Sequence, residues 1–272
     1  MIPLNRVPIG YYYSLPFSSV SQYPVNIVAV ELEMGRDRKK QYAIKKKAMR
    51  LEAEKKMKER TALVEAANKV ADPLAAHPSF KRFNKNGLDL NMETTRVTSL
   101  DDFTKEWLMD LLRVNMKDEY EKSKLGWNEK NIAEELFDDP AWYLVARVND
   151  DSAEPVAFAH FRYQMYHDDE VLYVYQIRVE KSARQKGLGK FMMMVLELLS
   201  HKADMRKITL SCFKHNTAAL EFLKDAMKYE RDKTVYEDDV RGQADYEILS
   251  RLNKKKMARE EAERLAGRGI GS

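Results

Sequence analysis

The chain has 272 residues, 44% of them hydrophobic and 33% charged, with a formal net charge of +4 at pH 7, enough for one large domain or one domain with extensions. A single cysteine, Cys212, excludes a disulfide framework and fits a reducing compartment, and no apolar run reaches the roughly 18 residues that a helical membrane span needs. The charge is segregated: residues 35–60 hold 12 Lys/Arg against 4 Asp/Glu and residues 251–272 hold 7 against 3, which leaves an acidic body between basic ends.

An acidic body favours a cationic partner, and basic ends favour nucleic acid, the ribosome or an acidic protein face. Residues 1–33 contain four of the eight prolines and the cluster Tyr11-Tyr12-Tyr13 without a folding periodicity, and read as a disordered leader. Their longest apolar run, near Ile27–Val30, is short and far from the start, unlike a secretory signal. Met34-Gly35 fits an alternative start, although Lys39 stands where a myristoylation motif prefers Ser or Thr. Residues 34–71 form the next unit. From Lys40 to about Val70 the residues are good helix formers with no Gly or Pro before Pro73, predicting a long helix. Its basic first half reads either as a polyanion-binding arm or as a solvated helix.

A loop through His77, Pro78 and Asn86-Gly87 leads into a strand, Leu88–Val97. Asp101 opens a helix with Trp107, Leu108, Leu111 and Leu112 near the 3.6-residue period, and Glu129–Phe137 is a second helix. Trp142–Val148 and Val156–Tyr166 form a hairpin, and the Asp168-Asp169 turn leads to a strand at Val171–Glu180. An apolar helix follows Gly187-Leu188-Gly189. Then come a strand at Lys207–Phe213, a helix at Asn216–Met227, strands at Tyr229–Tyr236 and Tyr246–Leu252, and a charged helical tail over residues 253–272.

A helix that opens on a glycine turn presents unpaired N–H groups and the positive end of its dipole, a cradle for an anion such as a pyrophosphate. Arg184, Lys186 and Lys190 surround it with positive charge. The spacing Arg184-x-x-Gly187-x-Gly189 after a strand resembles the acetyl-CoA signature of the GCN5-related N-acetyltransferases (GNAT). Taken alone, the pattern reads equally as an ordinary strand-to-helix turn. The element order β-α-α-β-β-β-α-β-α-β-β is also the GNAT order. The resemblance implies an α/β GNAT fold over residues 72–252, a mixed central sheet of about seven strands flanked by helices, with an N-terminal helical extension.

Further segments carry a closer resemblance: Asp72-Pro73-Leu74, Gly126-Trp127, Ala141-Trp142-Tyr143-Leu144, His160-Phe161-Arg162, Phe213-Lys214-His215-Asn216 and Tyr246-Glu247-Ile248-Leu249-Ser250-Arg251. Together these are similar to the NatD family of N-terminal acetyltransferases, which modify the α-amine of histone H4 and the histone 2A class. The resemblance covers about Met34 to Arg251. It implies an enzyme of the nucleus and cytoplasm that uses acetyl-CoA and no metal and acts on a histone N-terminal peptide; a monomer is expected, and the charge of the basic helix suits contact with ribosome or nucleic acid.

The resemblance also assigns residues. Acetyl-CoA should lie along the backbone of Ile177, Arg178 and Val179 and the turn of Arg184, Gln185, Lys186, Gly187, Leu188, Gly189 and Lys190, with Asn216 near its pantetheine arm. The peptide should meet Tyr120, Gln164, Met165, Tyr166, Tyr175, Ser211 and Tyr246. Reaction chemistry points to a catalytic set of Tyr175, Gln176, Ser211 and Tyr246: a water held by Tyr175, Gln176 or Ser211 takes the amine proton, N–H groups near Ile177 polarise the carbonyl, and Tyr246 orients the peptide or protonates the sulfur. Four positions depart from the family pattern: Gln164, Tyr166 and Gln176 replace acids and Leu125 replaces an aromatic, with Asp168 and Asp169 as candidate substitutes.

A peptide α-amine, with a pKa of ~7.8, is about a third neutral near pH ~7.5, whereas a lysine at ~10.4 is neutral about once in a thousand. A site with Gln176 for a carboxylate suits the α-amine. The other readings are a lysine or small-amine acetyltransferase, and a catalytically weak binding protein of the same fold. Cys212 reads as a core residue, and no His/Cys/Asp spacing suggests a metal.

Overall fold

Uninterrupted helix-forming residues give the first element, α1, Arg36–Lys69, in a computed structural model that describes residues 36–234 and 244–268. The leader expected over residues 1–33 and the strand end expected at Tyr236 lie outside these residues. Around α1 is built one sheet of eight strands in the order β1-β2-β3-β4-β5-β6-β8-β7. In chain order the elements are β1 (Arg82–Lys85), β2 (Leu88–Arg96), α2 (Asp102–Glu121), α3 (Glu129–Leu136), β3 (Trp142–Val148), β4 (Pro155–Tyr166) and β5 (Asp169–Val179). There follow α4 (Leu188–Lys202), β6 (Lys207–Phe213), α5 (Thr217–Glu221, running on as a π-turn over Phe222–Ala226), β7 (Glu230–Arg231), β8 (Tyr246–Leu252) and α6 (Lys254–Arg268). Every neighbouring pair is antiparallel except β5 and β6.

The period-two alternation of the strands sorts side chains onto two faces. On one, Trp142, Leu144, Phe161, Leu172 and Val174 meet Val64 and Ala67 of α1 and Met192, Met193 and Leu196 of α4. On the other, Tyr143, Val145 and Phe158 meet Leu108, Leu112 and Met116 of α2 and Ile132 and Leu136 of α3. Asp101 caps α2, accepting the Thr104 N–H at 2.6 Å.

Where the sequence suggested a loop at Asn86-Gly87, the chain makes a hairpin, with β1 as an additional edge strand. Asn86 and Gly87 both take positive φ, 54° and 75°, as a two-residue type I′ turn requires.

The basic ends divide in two. The first half of α1 is exposed, Ile44 and Leu51 included. Its second half docks: Arg60 lies 3.6 Å from the Asp169 carboxylate and 3.4 Å from that of Glu170, and donates to the Asp168 carbonyl at 2.7 Å. From the other end, α6 buries Lys256 against the same Glu170.

Candidate active site

Strands β5 and β6 pair only where Val171–Val174 runs beside Lys207–Leu210. Beyond that they diverge, while β5 stays paired to β4 and β6 to β8. The result is a wedge between Tyr175–Val179 and Ser211–Phe213. A bulge lies at its apex: His160 faces Gln176 but the next residue, Phe161, faces Val174, so Tyr175 is the extra residue of β5. Leu172 and Val174 before the bulge, and Ile177 and Val179 after it, pack on the α1/α4 face. Tyr175 and Gln176 therefore both point the other way.

The alternation also fixes which backbone groups face the wedge. Glu180 donates to Val156 of β4 at 2.8 Å, so the N–H and C=O of Ile177 and Val179 turn to the open edge. Their carbonyls are occupied: Arg178 Nη1 donates to Ile177 at 2.7 Å and Arg184 Nε to Val179 at 3.0 Å. The two N–H groups are the donors that the edge presents.

The wedge leads to the glycine turn. Gln185 and Gly187 take φ of 58° and 87°, and the first α4 bond runs from Phe191 to Gly187 at 3.0 Å. The N–H groups of Leu188, Gly189 and Lys190 precede that ladder, at the positive end of a 15-residue helix. A Cβ on Gly189 would come no nearer than 3.9 Å to the Phe222 ring, so the approach to these groups is open. Leu188 itself is buried in the core and offers only backbone. These features fit the diphosphate of acetyl-CoA.

Beside the wedge is an aromatic group. The Tyr175 ring lies between His160, with centroids 4.7 Å apart, and Tyr173 at 5.0 Å. The Arg162 guanidinium sits 4.6 Å over it, and the phenol donates to Gln164 Oε1 at 3.0 Å. Burial pushes this phenol well above the usual tyrosine range and holds His160 well below the usual histidine range. Tyr166 packs on Tyr173 at 5.4 Å, Ser211 is buried beside Tyr173, and Tyr246 joins the same cluster. Tyr120 is buried edge-on to Phe213 at 5.3 Å and Trp127 at 5.7 Å, with Leu125 packed against the same group.

The structure thus assembles Tyr120, Gln164, Tyr166, Tyr175, Ser211 and Tyr246. Met165 is not among them: alternation sends it to the opposite face, against the α1/α4 core. Asp169 is not available as a substitute acid, because Arg60, Arg206 at 3.1 Å and Lys207 at 3.2 Å already hold it. Asn216 uses its Oδ1 to cap α5, accepting from Ala219 at 3.1 Å.

Two residues gain roles that sequence reasoning missed. Asn86 reaches across from the β1–β2 turn and donates to the Lys186 carbonyl at 2.9 Å, bracing the glycine turn. Arg178, expected to offer backbone alone, places its side chain along the wedge. Its Nη2 donates to Gln176 Oε1 at 2.5 Å and its Nη1 to the Ile177 carbonyl, both neutral oxygens. Its Nε–H is sealed from solvent without a partner, and desolvation pushes the guanidinium down to about 10.

The profile of the acetyltransferase (GNAT) family matches residues 101–229, just under half the chain, from the cap of α2 to the end of α5. Among solved structures, a GNAT-family acetyltransferase from Listeria monocytogenes is 14% identical, with 63% of this chain and 99% of that one covered and a TM-score of 0.44. Arabidopsis thaliana NAA60, in complex with a bisubstrate analogue, is 12% identical, with 60% and 98% covered and a TM-score of 0.41. The PaiA N-acetyltransferase of Thermoplasma acidophilum, in complex with coenzyme A, is 14% identical, with 60% and 99% covered and a TM-score of 0.41. The chain has the GNAT fold, with eight strands among the described residues where about seven were expected. The family match supports an acetyltransferase of that superfamily.

Proposed function

We propose that the chain transfers the acetyl group of acetyl-CoA to the α-amine of a protein N-terminus. The histone-type Ser-Gly-Arg-Gly end is the substrate that the NatD resemblance implies. The observation that carries this reading is the β5–β6 wedge, which opens at a bulge, exposes the N–H groups of Ile177 and Val179, and ends at the helix-capping glycine turn.

Acetyl-CoA supplies an activated thioester; the chain's own residues position and polarise. The N–H groups at the start of α4, with Lys186 and Lys190, hold the diphosphate. The Ile177 and Val179 N–H groups grip the arm and aim at the thioester oxygen, where charge develops. Tyr120, Tyr175 and Tyr246 wall the approach of the amine.

The buried Tyr175 phenol, already donating to Gln164, is a poor base, and Gln176 is held by Arg178. With no carboxylate at positions 164, 166 or 176, the reaction depends on an amine that arrives neutral. An α-amine does so about a third of the time near pH ~7.5 and a lysine about once in a thousand. Meanwhile the exposed basic half of α1 suits contact with the ribosome or nucleic acid.

Amine-dependent release of coenzyme A tests the reading with three peptides: one beginning Ser-Gly-Arg-Gly, its Nα-acetylated form, and an Nα-blocked lysine peptide. Release with the first alone is expected. Equal release with the lysine peptide would replace it with a lysine acetyltransferase, and release with none by a chain that binds without turnover.

A further inference from the structure

We infer that Arg178 is a catalytic residue: its guanidinium stabilises the negative charge that passes from the acetyl oxygen to the departing sulfur, and repels the protonated form of the incoming amine. The inference rests on the acetyl-transfer reading and adds to it a residue that this reading does not require.

Position comes first. Arg178 adjoins Ile177, whose N–H faces the open edge, and its side chain extends along the wedge to Gln176. The bulge at Tyr175 puts it there by reversing the alternation, so that Gln176 and Arg178 share the face away from the α1/α4 core.

Charge comes next. Both bonds of the guanidinium go to neutral oxygens, one amide and one carbonyl, and neither cancels its charge. By contrast Lys207 is matched by Asp169 and Asp232, Lys256 by Glu170, and Arg162 by Asp138. A half-buried cation without an acidic partner is costly to keep in a fold. The Arg178 Nε–H is also left without a hydrogen-bond partner. An anion that exists only during reaction would meet both needs, and a fixed charge in a water-poor site favours the transition state over the neutral ground state.

The chemistry then closes without a carboxylate. The amine nitrogen donates its pair to the thioester carbon, and the carbonyl oxygen takes the negative charge beside the Ile177 N–H and Arg178. The carbonyl re-forms as the C–S bond breaks, and sulfur leaves with the pair as a thiolate facing the same cation. The nitrogen gives its proton to water and the sulfur takes one from water, leaving an amide and the free thiol. A nearby cation lowers the pKa of an amine, so Arg178 raises the neutral fraction that a general base would otherwise have to generate.

The variants are Arg178→Gln, which keeps hydrogen-bonding capacity but not charge, and Arg178→Lys, which keeps charge. Turnover of acetyl-CoA with the Ser-Gly-Arg-Gly peptide is measured from pH 6 to 10, with coenzyme A affinity measured by calorimetry and folding by thermal melt. Arg178→Gln should lower kcat about 100-fold, a typical loss for one oxyanion donor, shift the rising limb of kcat to higher pH, and leave coenzyme A affinity within about threefold. Arg178→Lys should recover about tenfold of the loss. A kcat within about threefold of the original in Arg178→Gln, a loss that Lys fails to recover, or a loss confined to coenzyme A affinity would overturn the inference. Failure of the unmutated chain to bind coenzyme A would remove the acetyl-transfer reading, and this inference with it.

Discussion

Asn86 in the β1–β2 turn and Lys186 in the glycine turn are joined by a 2.9 Å hydrogen bond from the Asn86 amide to the Lys186 carbonyl. Asn86 already sits at positive φ in its turn, so Asn86→Gly removes the donor while keeping the backbone conformation. One such bond contributes about 0.5–1.5 kcal/mol. The variant should bind coenzyme A about threefold to tenfold more weakly by calorimetry while its melting temperature changes little.

The two glycines of the turn should separate on substitution. Gly187 has φ of 87°, where any other residue is strained by about 1–2 kcal/mol; Gly187→Ala should lower both stability in urea and coenzyme A affinity. At Gly189 a Cβ meets nothing closer than 3.9 Å. Gly189→Val should melt within a few degrees of the original and lose coenzyme A affinity, because only a ligand needs that space.

Most elements were legible because amphipathic periodicity is a local property. The Asp101 cap and the apolar spacing of α2 fixed that helix, and Lys207–Phe213 and Tyr246–Leu252 run as the β-rich composition indicated. β1 was missed because Phe83 is the only buried residue in a four-residue polar edge strand, although Asn86-Gly87 was its turn signal. The bulge at Tyr175 left no trace, since β5 is covered on both faces there and its composition does not alternate. Charge counts likewise could not divide α1 into an exposed half and a docked half, because Arg60 finds Asp169 and Glu170 only across the fold. The same long-range pairing removed Asp169 from the candidate peptide acids.

His160, stacked between Tyr143 and Tyr175, gives stability a pH dependence. Burial holds its pKa well below the usual value, so the unfolded chain binds a proton near pH ~6.5 that the fold refuses. The stabilisation is complete above that pH and is lost as pH falls below it, by up to about 1.4 kcal/mol per pH unit. His167 and His201 are shifted the same way. Urea unfolding between pH 7 and 5 should show the decline, and His160→Phe should reduce its slope by about one proton.

The corner where α1 and α6 converge on Glu170 should be the most sensitive to a single charge. Lys256 is 3% exposed and pairs with Glu170, which is wholly buried. Removing one partner of such a pair costs about 3–5 kcal/mol, whereas replacing both costs far less. Lys256→Met should therefore lower unfolding free energy by about 3 kcal/mol, and Lys256→Met with Glu170→Gln should regain much of it.

Binding of the diphosphate is the point on which the rest turns, and calorimetry tests it by comparing coenzyme A with pantetheine, which has the arm but neither the phosphates nor the adenosine. The account predicts one molecule of coenzyme A bound per chain, and pantetheine at least about 100-fold weaker, as expected when several charge-assisted bonds are lost. Equal affinity for the two, or no heat from coenzyme A with a folded chain, would contradict it.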